Sequence, residues 1–197
     1  ERDLRRKIVD VATELGSRTG EAGLTMRALA GRLGISATAL YQHFDSKAAI
    51  LAEIRIDAAG RLLASCREAF AQPDARTFVR ALCAHYVSFA RSEPFLYGVL
   101  TTRPAHDALG PEQLQRYSQL AGDFQHALWD RFPAVTDTGE RVALLMDLYC
   151  QLHGLVALVL TGTIGAQHPL VPIPEPEAFV GQYLDRVTDS VLARSTG

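Results

Sequence analysis

The chain has 197 residues, of which 48% are hydrophobic, and this is enough for a packed core in one or two domains. Its formal net charge of −2 excludes a strongly basic protein that coats nucleic acid without specificity. Three cysteines without a CxxC pair indicate buried free thiols in a reducing cytoplasm, and argue against a disulfide framework or a zinc site.

The first predicted element is an amphipathic helix over residues 2–19. Its apolar face carries Leu4, Ile8, Val11, Ala12 and Leu15. The segment lacks the apolar core of a signal peptide, so we expect a cytoplasmic protein. We expect this helix to brace the elements that follow it.

Residues 25–44 predict two short helices joined by a tight glycine turn. Thr25 is a favourable N-cap, and Gly34 suits the left-handed conformation that often ends a helix. Ser36 can cap the second helix, which would turn its apolar residues inward and small polar residues outward. This is the layout of a DNA-reading helix-turn-helix.

The run TMRALAGRLGISATALYQHFDSK, residues 25–47, resembles the DNA-binding signature of TetR-type (tetracycline-repressor-like) transcriptional regulators. The resemblance covers about residues 4–55. The residues at the family's spacing are Thr25, Ala30, Leu33, Gly34, Leu40, Tyr41, His43, Phe44 and Lys47. It implies that residues 1–47 form a three-helix DNA-binding domain and residues 48–197 a larger helical domain for ligand binding and dimerisation.

Short outward side chains allow a helix to approach base edges in the major groove. Gln42 can pair bidentately with adenine, and the resemblance places Arg27 on a guanine edge. Tyr41 suits a phosphate oxygen, as does Lys47, which follows Ser46, the expected N-cap of the next helix. The candidate DNA-binding residues are Thr25, Arg27, Ser36, Ala37, Thr38, Tyr41, Gln42, His43 and Lys47.

The rest of the chain predicts helices throughout. We expect them at residues 48–70, 75–91, 94–102, 111–132, 138–163 and 176–194, with a proline-rich connector at 168–176. No long segment has the period of a strand, so the predicted fold is all-α, with about nine helices.

Residues 142–160 approach the length of a membrane span, but Asp147 near the middle would be costly in a bilayer. A helix that is apolar on most sides is more simply explained by burial on both sides, against its own domain and a partner subunit. The terminal helix offers a matching stripe of Phe179, Val180, Tyr183, Leu184, Val187 and Val191. These two helices predict a four-helix homodimer interface and no membrane contact.

Residues 91–100 and 152–162 resemble the regulatory domain of a TetR subgroup named for a Trp-His-Gly motif, with Leu152 in place of the tryptophan. This implies helices around a cavity for a largely apolar or aromatic small molecule. Candidate ligand-binding residues are Tyr86, Phe89, Phe95, Phe124, Leu128, Tyr149 and His153. Plain core packing is the alternative for each aromatic residue, and a core histidine is favoured over metal ligation by Cys150 and His153.

No catalytic or nucleotide-binding motif is present in the sequence, so we expect neither an enzyme nor a cofactor. The mildly basic first 47 residues precede an acidic remainder, as expected for a protein that touches DNA at one end. We expect a ligand-responsive repressor that binds double-stranded, palindromic operator DNA as a homodimer. The alternative is a small-molecule carrier or sink whose helix-turn-helix no longer binds DNA.

Overall fold

The computed structural model describes residues 2–102, 109–168 and 171–195, which contain nine α-helices, one 3-10 turn and no strand. The prediction of an all-α fold is therefore confirmed. The helices are α1 (Arg2–Gly23), α2 (Met26–Leu33), α3 (Ala37–Tyr41), α4 (Lys47–Arg67), α5 (Ala75–Ser92), α6 (Pro94–Thr101), α7 (Pro111–Asp130), α8 (Thr138–Leu160) and α9 (Pro176–Ser195). The 3-10 turn, Glu68–Ala71, continues α4.

Side-chain caps determine where the short helices begin. The hydroxyl of Thr25 accepts a hydrogen bond from the backbone N–H of Ala28 at 3.1 Å, and that of Ser36 accepts one from Ala39 at 3.1 Å. Gly34 ends α2 in the left-handed region, with φ 68° and ψ 27°. These three residues confirm the predicted caps, because each satisfies a backbone group that a helix end leaves without a partner.

Helix α1 loses its regular geometry at Gly20, where φ is 70° and ψ is 176°. Glycine reaches this left-handed φ without the steric cost that a Cβ atom imposes. The regular helix therefore ends close to the predicted residue 19. One further turn, up to Gly23, leads into α2.

The chain divides into two compact units. Unit 1 comprises Glu1–Arg61 and Glu93–Ala121, and unit 2 comprises Leu62–Ser92 and Gly122–Gly197. Helices α4 and α7 have residues in both units. The division into a DNA-binding domain at 1–47 and a ligand-binding domain at 48–197 stays a prediction.

Unit 1 holds its helices together with an apolar core. Side chains that are almost completely buried come from five of its helices and one loop: Ile8, Leu24, Leu29, Leu40, Ile50, Ile54 and Leu96. Gly16 of α1 makes room for the ring of Phe95 in α6, since a Cβ atom at Gly16 would lie 2.1 Å from the Phe95 Cζ atom. The core thus fixes α2 and α3 on a rigid base.

Unit 2 packs α5 against α8 and α9. Phe78 of α5 is fully buried. Its ring centroid lies 4.9 Å from the ring centroid of Phe70 and 6.0 Å from that of Phe132. Three ion pairs link α5 to α9, and their order shows that the two helices are antiparallel. The pairs are Arg76–Asp189, Arg80–Asp185 and Arg91–Glu177. The hydrogen bond from Arg91 lowers the pKa of Glu177.

The thiols differ in exposure. Cys66 and Cys83 are buried in unit 2, and burial raises the pKa of each to about 12. Cys150 is exposed in the single chain, so the expectation of a buried thiol is wrong there. Its position on α8 faces away from the core of unit 2.

Candidate functional site

Helices α2 and α3 form the predicted helix-turn-helix within unit 1. Leu29 of α2 and Leu40 of α3 are completely buried, and Phe44 is 2% exposed. In the turn between the helices, the N–H of Ile35 donates to the carbonyl oxygen of Ala30 at 3.1 Å. Although α3 has only five residues, these buried side chains hold its outer side in a defined orientation.

The outer side of this pair carries the predicted DNA-binding residues. Thr25, Arg27, Ser36, Ala37, Thr38, Tyr41 and Gln42 are exposed, and His43 and Lys47 are half-buried. All nine lie in unit 1, within the stretch from the start of α2 to the start of α4. The structure therefore brings them into one continuous segment, with short side chains where α3 would approach base edges.

Arg5 of α1 supports the end of the helix-turn-helix, which the sequence analysis did not anticipate. Its guanidinium donates a hydrogen bond to the backbone carbonyl of His43 and lies 4.2 Å from the ring centroid of Phe44. It also lies 3.9 Å from the carboxylate of Glu53 in α4. A charge-assisted hydrogen bond and a cation–π contact from one side chain thus connect α1 to the segment after α3.

Lys47 begins α4, as predicted, and Ser46 caps that helix by accepting a hydrogen bond from the N–H of Ala49 at 3.2 Å. The Lys47 ammonium donates to the carbonyl oxygen of Glu21 at 2.6 Å and lies 3.6 Å from the Glu21 carboxylate. The predicted phosphate ligand is therefore already engaged by the last turn of α1, beyond Gly20. Glu21 lies 26 residues before Lys47, so the sequence pattern does not reveal this contact.

The two arginines of α2 have different surroundings. Arg32 pairs with Glu14 of α1, which also lies 3.8 Å from Arg18. Arg27 is exposed, and among the described residues no carboxylate lies within ion-pairing distance of it. A guanidinium without a competing carboxylate is better suited to a base edge or a phosphate.

The candidate ligand-binding residues are divided between the two units. Phe95 lies in unit 1, where its ring packs on Gly16. The other six lie in unit 2, where Phe124 contacts Phe70 at 5.7 Å between ring centroids. Tyr149 is 40% exposed on α8, and its ring stacks on His153 at 5.4 Å. The ligand site built from these seven residues stays a prediction.

Unit 2 contains a small cavity with a wholly apolar wall. Its volume is about 20 Å³, which is room for about one water molecule. The wall is formed by Val79, Leu82, Leu128, Trp129, Phe132, Leu144, Leu145, Leu148 and Val191. Of the candidate ligand-binding residues, only Leu128 contributes to this wall. A polar group that enters a cavity without polar partners loses its hydrogen bonds to water, so this cavity favours the apolar parts of a molecule.

Helix α8 has an exposed apolar stripe, defined here as Val142, Met146, Tyr149 and Leu160. Each of these residues is at least 40% exposed, and their spacing places them on one side of the helix. Other residues of the helix, Leu144, Leu152, Leu155 and Val156, are buried in unit 2. Exposed apolar side chains grouped on one side of a helix are typical of a surface that another molecule covers.

The stripe predicted on α9 packs within its own chain instead. Val180, Leu184, Val187 and Val191 are each at most 5% exposed and belong to the core of unit 2. The expectation that these side chains meet a partner subunit is therefore wrong. Sequence periodicity identified an apolar face on α9 but could not tell a facing helix of the same chain from one of a partner.

Helix α8 is the one described helix that is long and apolar enough to cross a membrane, with a mean hydropathy of 1.8 over its most apolar window. Asp147, in the middle of this helix, forms an ion pair with Arg194 of α9.

In the part of the chain that the structure describes, no group of three or more His, Cys, Asp or Glu residues could hold a metal ion.

Comparison with known families gives two matches. Residues 8–54 match the family described as bacterial regulatory proteins, tetR family. Residues 79–182 match the tetracyclin repressor-like C-terminal domain. The first match includes all the candidate DNA-binding residues, and the second includes all the candidate ligand-binding residues.

Comparison with individual proteins agrees with these matches. An uncharacterised HTH-type transcriptional regulator of Mycobacterium tuberculosis is 25% identical over 160 residues, which cover 81% of this chain and 72% of that protein. A Rhodococcus protein of unknown function has a TM-score of 0.72 at 21% identity, covering 96% of this chain and 94% of that chain. A TetR family transcription regulator from Marinobacter aquaeolei has a TM-score of 0.69 at 16% identity, covering 96% of each chain. At these identities the structural likeness concerns the fold.

Proposed function

Since the chain belongs to the tetR family of bacterial regulatory proteins, and is a DNA-binding transcription regulator and not an enzyme, we propose that it is a repressor released from its operator by a small molecule. The observation that carries the DNA-binding part is the exposed outer face of α3 with Arg27 beside it. The operator is double-stranded and palindromic, because a homodimer presents two copies of this face. The protein acts in the cytoplasm.

The DNA-binding residues divide into two groups. Tyr41 and Lys47 position unit 1 through phosphate oxygens, while Arg27, Thr38 and Gln42 discriminate bases. Tyr41, Arg27, Thr38 and Gln42 are exposed and Lys47 is half-buried, and their distribution over α2, α3 and the start of α4 supports this division.

Substitutions at Gln42 and Lys47 are expected to have different effects. Gln42→Ala should relax the preference at one base pair, at a cost of about 1–3 kcal/mol, because a bidentate contact is lost. Lys47→Ala should weaken binding similarly on all sequences and reduce the slope of log affinity against log salt by about one. Fluorescence anisotropy on an operator and its single-base variants measures both quantities. Equal loss of sequence preference in the two variants would contradict the division of roles.

Dimerisation uses the apolar stripe of α8, which the single chain leaves exposed. A stripe that runs along a helix of 23 residues can pair with its own copy across a two-fold axis. Helix α9 contributes through its half-buried residues Phe179 and Tyr183. This retains the predicted pair of helices but moves most of the apolar contact to α8.

The ligand is largely apolar and binds in unit 2, where the apolar cavity expands to admit it. The chain's single tryptophan, Trp129, lies in the cavity wall, so its fluorescence reports binding there. The other candidate residues of unit 2 contact the ligand only if unit 2 rearranges. They are Tyr86, Phe89, Phe124, Tyr149 and His153.

Ligand binding and DNA binding oppose each other through α4, which begins at Lys47 and has residues in both units. The ligand must bind the DNA-incompetent arrangement more tightly, because equal affinity for both arrangements shifts nothing. Saturating operator should therefore weaken ligand binding by the factor by which ligand weakens DNA binding. Calorimetric titration with and without operator measures this factor, and identical affinities would favour a carrier or sink.

The most direct test of the proposed function is to sequence the genomic fragments that the purified protein selects at moderate salt. We expect enrichment of a short palindrome. An apolar compound that the protein binds should then release this DNA, so that the enrichment is lost. Retention of DNA without any enriched sequence, or no retention at all, would contradict sequence-specific regulation.

A further inference from the structure

The ammonium group of Lys47 has two partners in one residue, the carbonyl oxygen of Glu21 at 2.6 Å and its carboxylate at 3.6 Å. The carbonyl oxygen also accepts a hydrogen bond from the N–H of Leu24 at 3.3 Å. The Lys47 side chain is 33% exposed and that of Glu21 is 55% exposed, so solvent and other ions reach the pair.

The turn that presents Glu21 lies between two glycines, Gly20 and Gly23, which allow its backbone conformation. Gly20 has a left-handed φ of 70°. At Gly23 a Cβ atom would lie 2.3 Å from the hydroxyl oxygen of Thr19, so only glycine fits there without a shift. The backbone conformation therefore places the carbonyl oxygen of Glu21 against Lys47, and it brings the carboxylate of the same residue within 3.6 Å of the ammonium.

We infer that Glu21 is an electrostatic brake on DNA binding, which holds Lys47 in position with its carbonyl oxygen and competes with a DNA phosphate through its carboxylate. The inference rests on the proposed function, in which Lys47 binds a phosphate. A phosphate oxygen bonded to the Lys47 ammonium would lie within about 6 Å of that carboxylate, since such hydrogen bonds are about 2.8 Å long. Two anions at that separation repel each other, so DNA must displace the carboxylate.

This arrangement lowers affinity without lowering sequence preference. The cost of displacing the carboxylate is the same on every sequence, because phosphates carry no base information. It also depends on salt, because both charged groups are partly exposed and ions screen their interaction. The Glu21 carboxylate therefore weakens binding to unrelated DNA and favours dissociation from the operator.

The test replaces the carboxylate by an amide of the same shape, Glu21→Gln, and leaves the backbone carbonyl in place. We expect binding about two- to tenfold tighter at low salt, equally on the selected operator and on a scrambled duplex. The gain should shrink towards zero as the salt concentration rises. Fluorescence anisotropy gives the affinities, and thermal unfolding confirms an unchanged fold.

A double-mutant cycle separates an effect through Lys47 from a general effect of removing negative charge. In a Lys47→Met background, which retains the side-chain stem without the charge, Glu21→Gln should gain less than about twofold. Glu14→Gln is the matched control, because it makes the same change on α1 but its carboxylate pairs with Arg32 and Arg18. Its effect should be the same with Lys47 or Met.

The outcomes are distinguishable. Failure of the wild-type protein to bind any DNA contradicts the proposed function, and this inference with it. Wild-type binding that Glu21→Gln leaves unchanged or weakens contradicts the brake alone. A gain of equal size in the Lys47 and Met backgrounds also overturns it, because the carboxylate would then act on DNA directly.

Discussion

Met146→Glu is expected to convert the proposed homodimer into folded monomers. Met146 lies in the middle of the α8 stripe and is 51% exposed in the single chain, so a charge there does not disturb the core of unit 2. In the dimer two such charges would be buried, each at a cost of about 2 kcal/mol or more. The dimer dissociation constant should therefore rise at least about a hundredfold, as measured by sedimentation.

Two further variants control this experiment. Val171→Glu makes a similar change at a residue that is 63% exposed outside α8, and should leave the dimer intact. Val187→Arg should instead unfold unit 2, because Val187 is 1% exposed and lies in its core. A Met146→Glu protein that stays dimeric would place the interface elsewhere.

Cysteine labelling gives an independent readout of the same change. Cys150 is exposed on α8 of the single chain, close to the stripe, so its alkylation should be faster in the Met146→Glu monomer than in the wild-type dimer. Cys66 and Cys83 are buried with their pKa values raised to about 12, so they should stay unlabelled in both proteins. Labelling of these two would show that the variant had unfolded.

The loss of dimer should also reduce operator affinity although unit 1 is unchanged. A palindromic operator binds two DNA-binding units at once, and the second contact acts at the high local concentration that the dimer provides. Affinity for a single half-site should change much less. The ratio of the two affinities therefore measures what the α8 stripe contributes to operator recognition.

The helix-turn-helix was predictable because its determinants are local. Thr25, Gly34 and Ser36 each act on backbone groups within three or four residues, so sequence spacing is sufficient to place them. Ser46 is predictable for the same reason. The outward position of the short side chains on α3 then follows from the helical period.

The contacts that α1 makes with the helix-turn-helix and the start of α4 were not predictable from the sequence. Arg5 and Glu21 reach His43 and Lys47 only after the chain has folded, and each looks like an ordinary charged residue of a helix. Arginines and glutamates are frequent on exposed helix faces, where most pairs contribute little. Only the three-dimensional structure distinguishes these two from the others.

The same limitation affects the apolar residues that were candidates for ligand binding and dimerisation. Phe95 shares the composition of the other aromatic candidates but packs in unit 1, on Gly16. Apolar periodicity shows that a face is buried without showing what covers it, so Val187 could be assigned to a partner subunit by its sequence pattern. The exposed stripe of α8 could be identified only from the structure, because the structure shows which residues of that helix are buried in unit 2.

Phe132→Ala is expected to destabilise unit 2 and, at the same time, to enlarge its apolar cavity. Phe132 is 7% exposed, lines that cavity and contacts the ring of Phe78. Removing a buried phenyl ring costs about 3–5 kcal/mol, because apolar contacts are lost and the space is only partly refilled. Chemical denaturation measures this loss.

The enlarged cavity should bind a small apolar probe such as benzene, which the wild-type cavity of about 20 Å³ is too small to hold without expansion. Benzene should restore part of the lost stability and change the fluorescence of Trp129 in the cavity wall. Phe44→Ala makes the same change in unit 1, so benzene there should leave Trp129 fluorescence as in the wild type. If Phe132→Ala neither binds benzene nor alters Trp129 emission, the cavity is ordinary core and the ligand binds elsewhere.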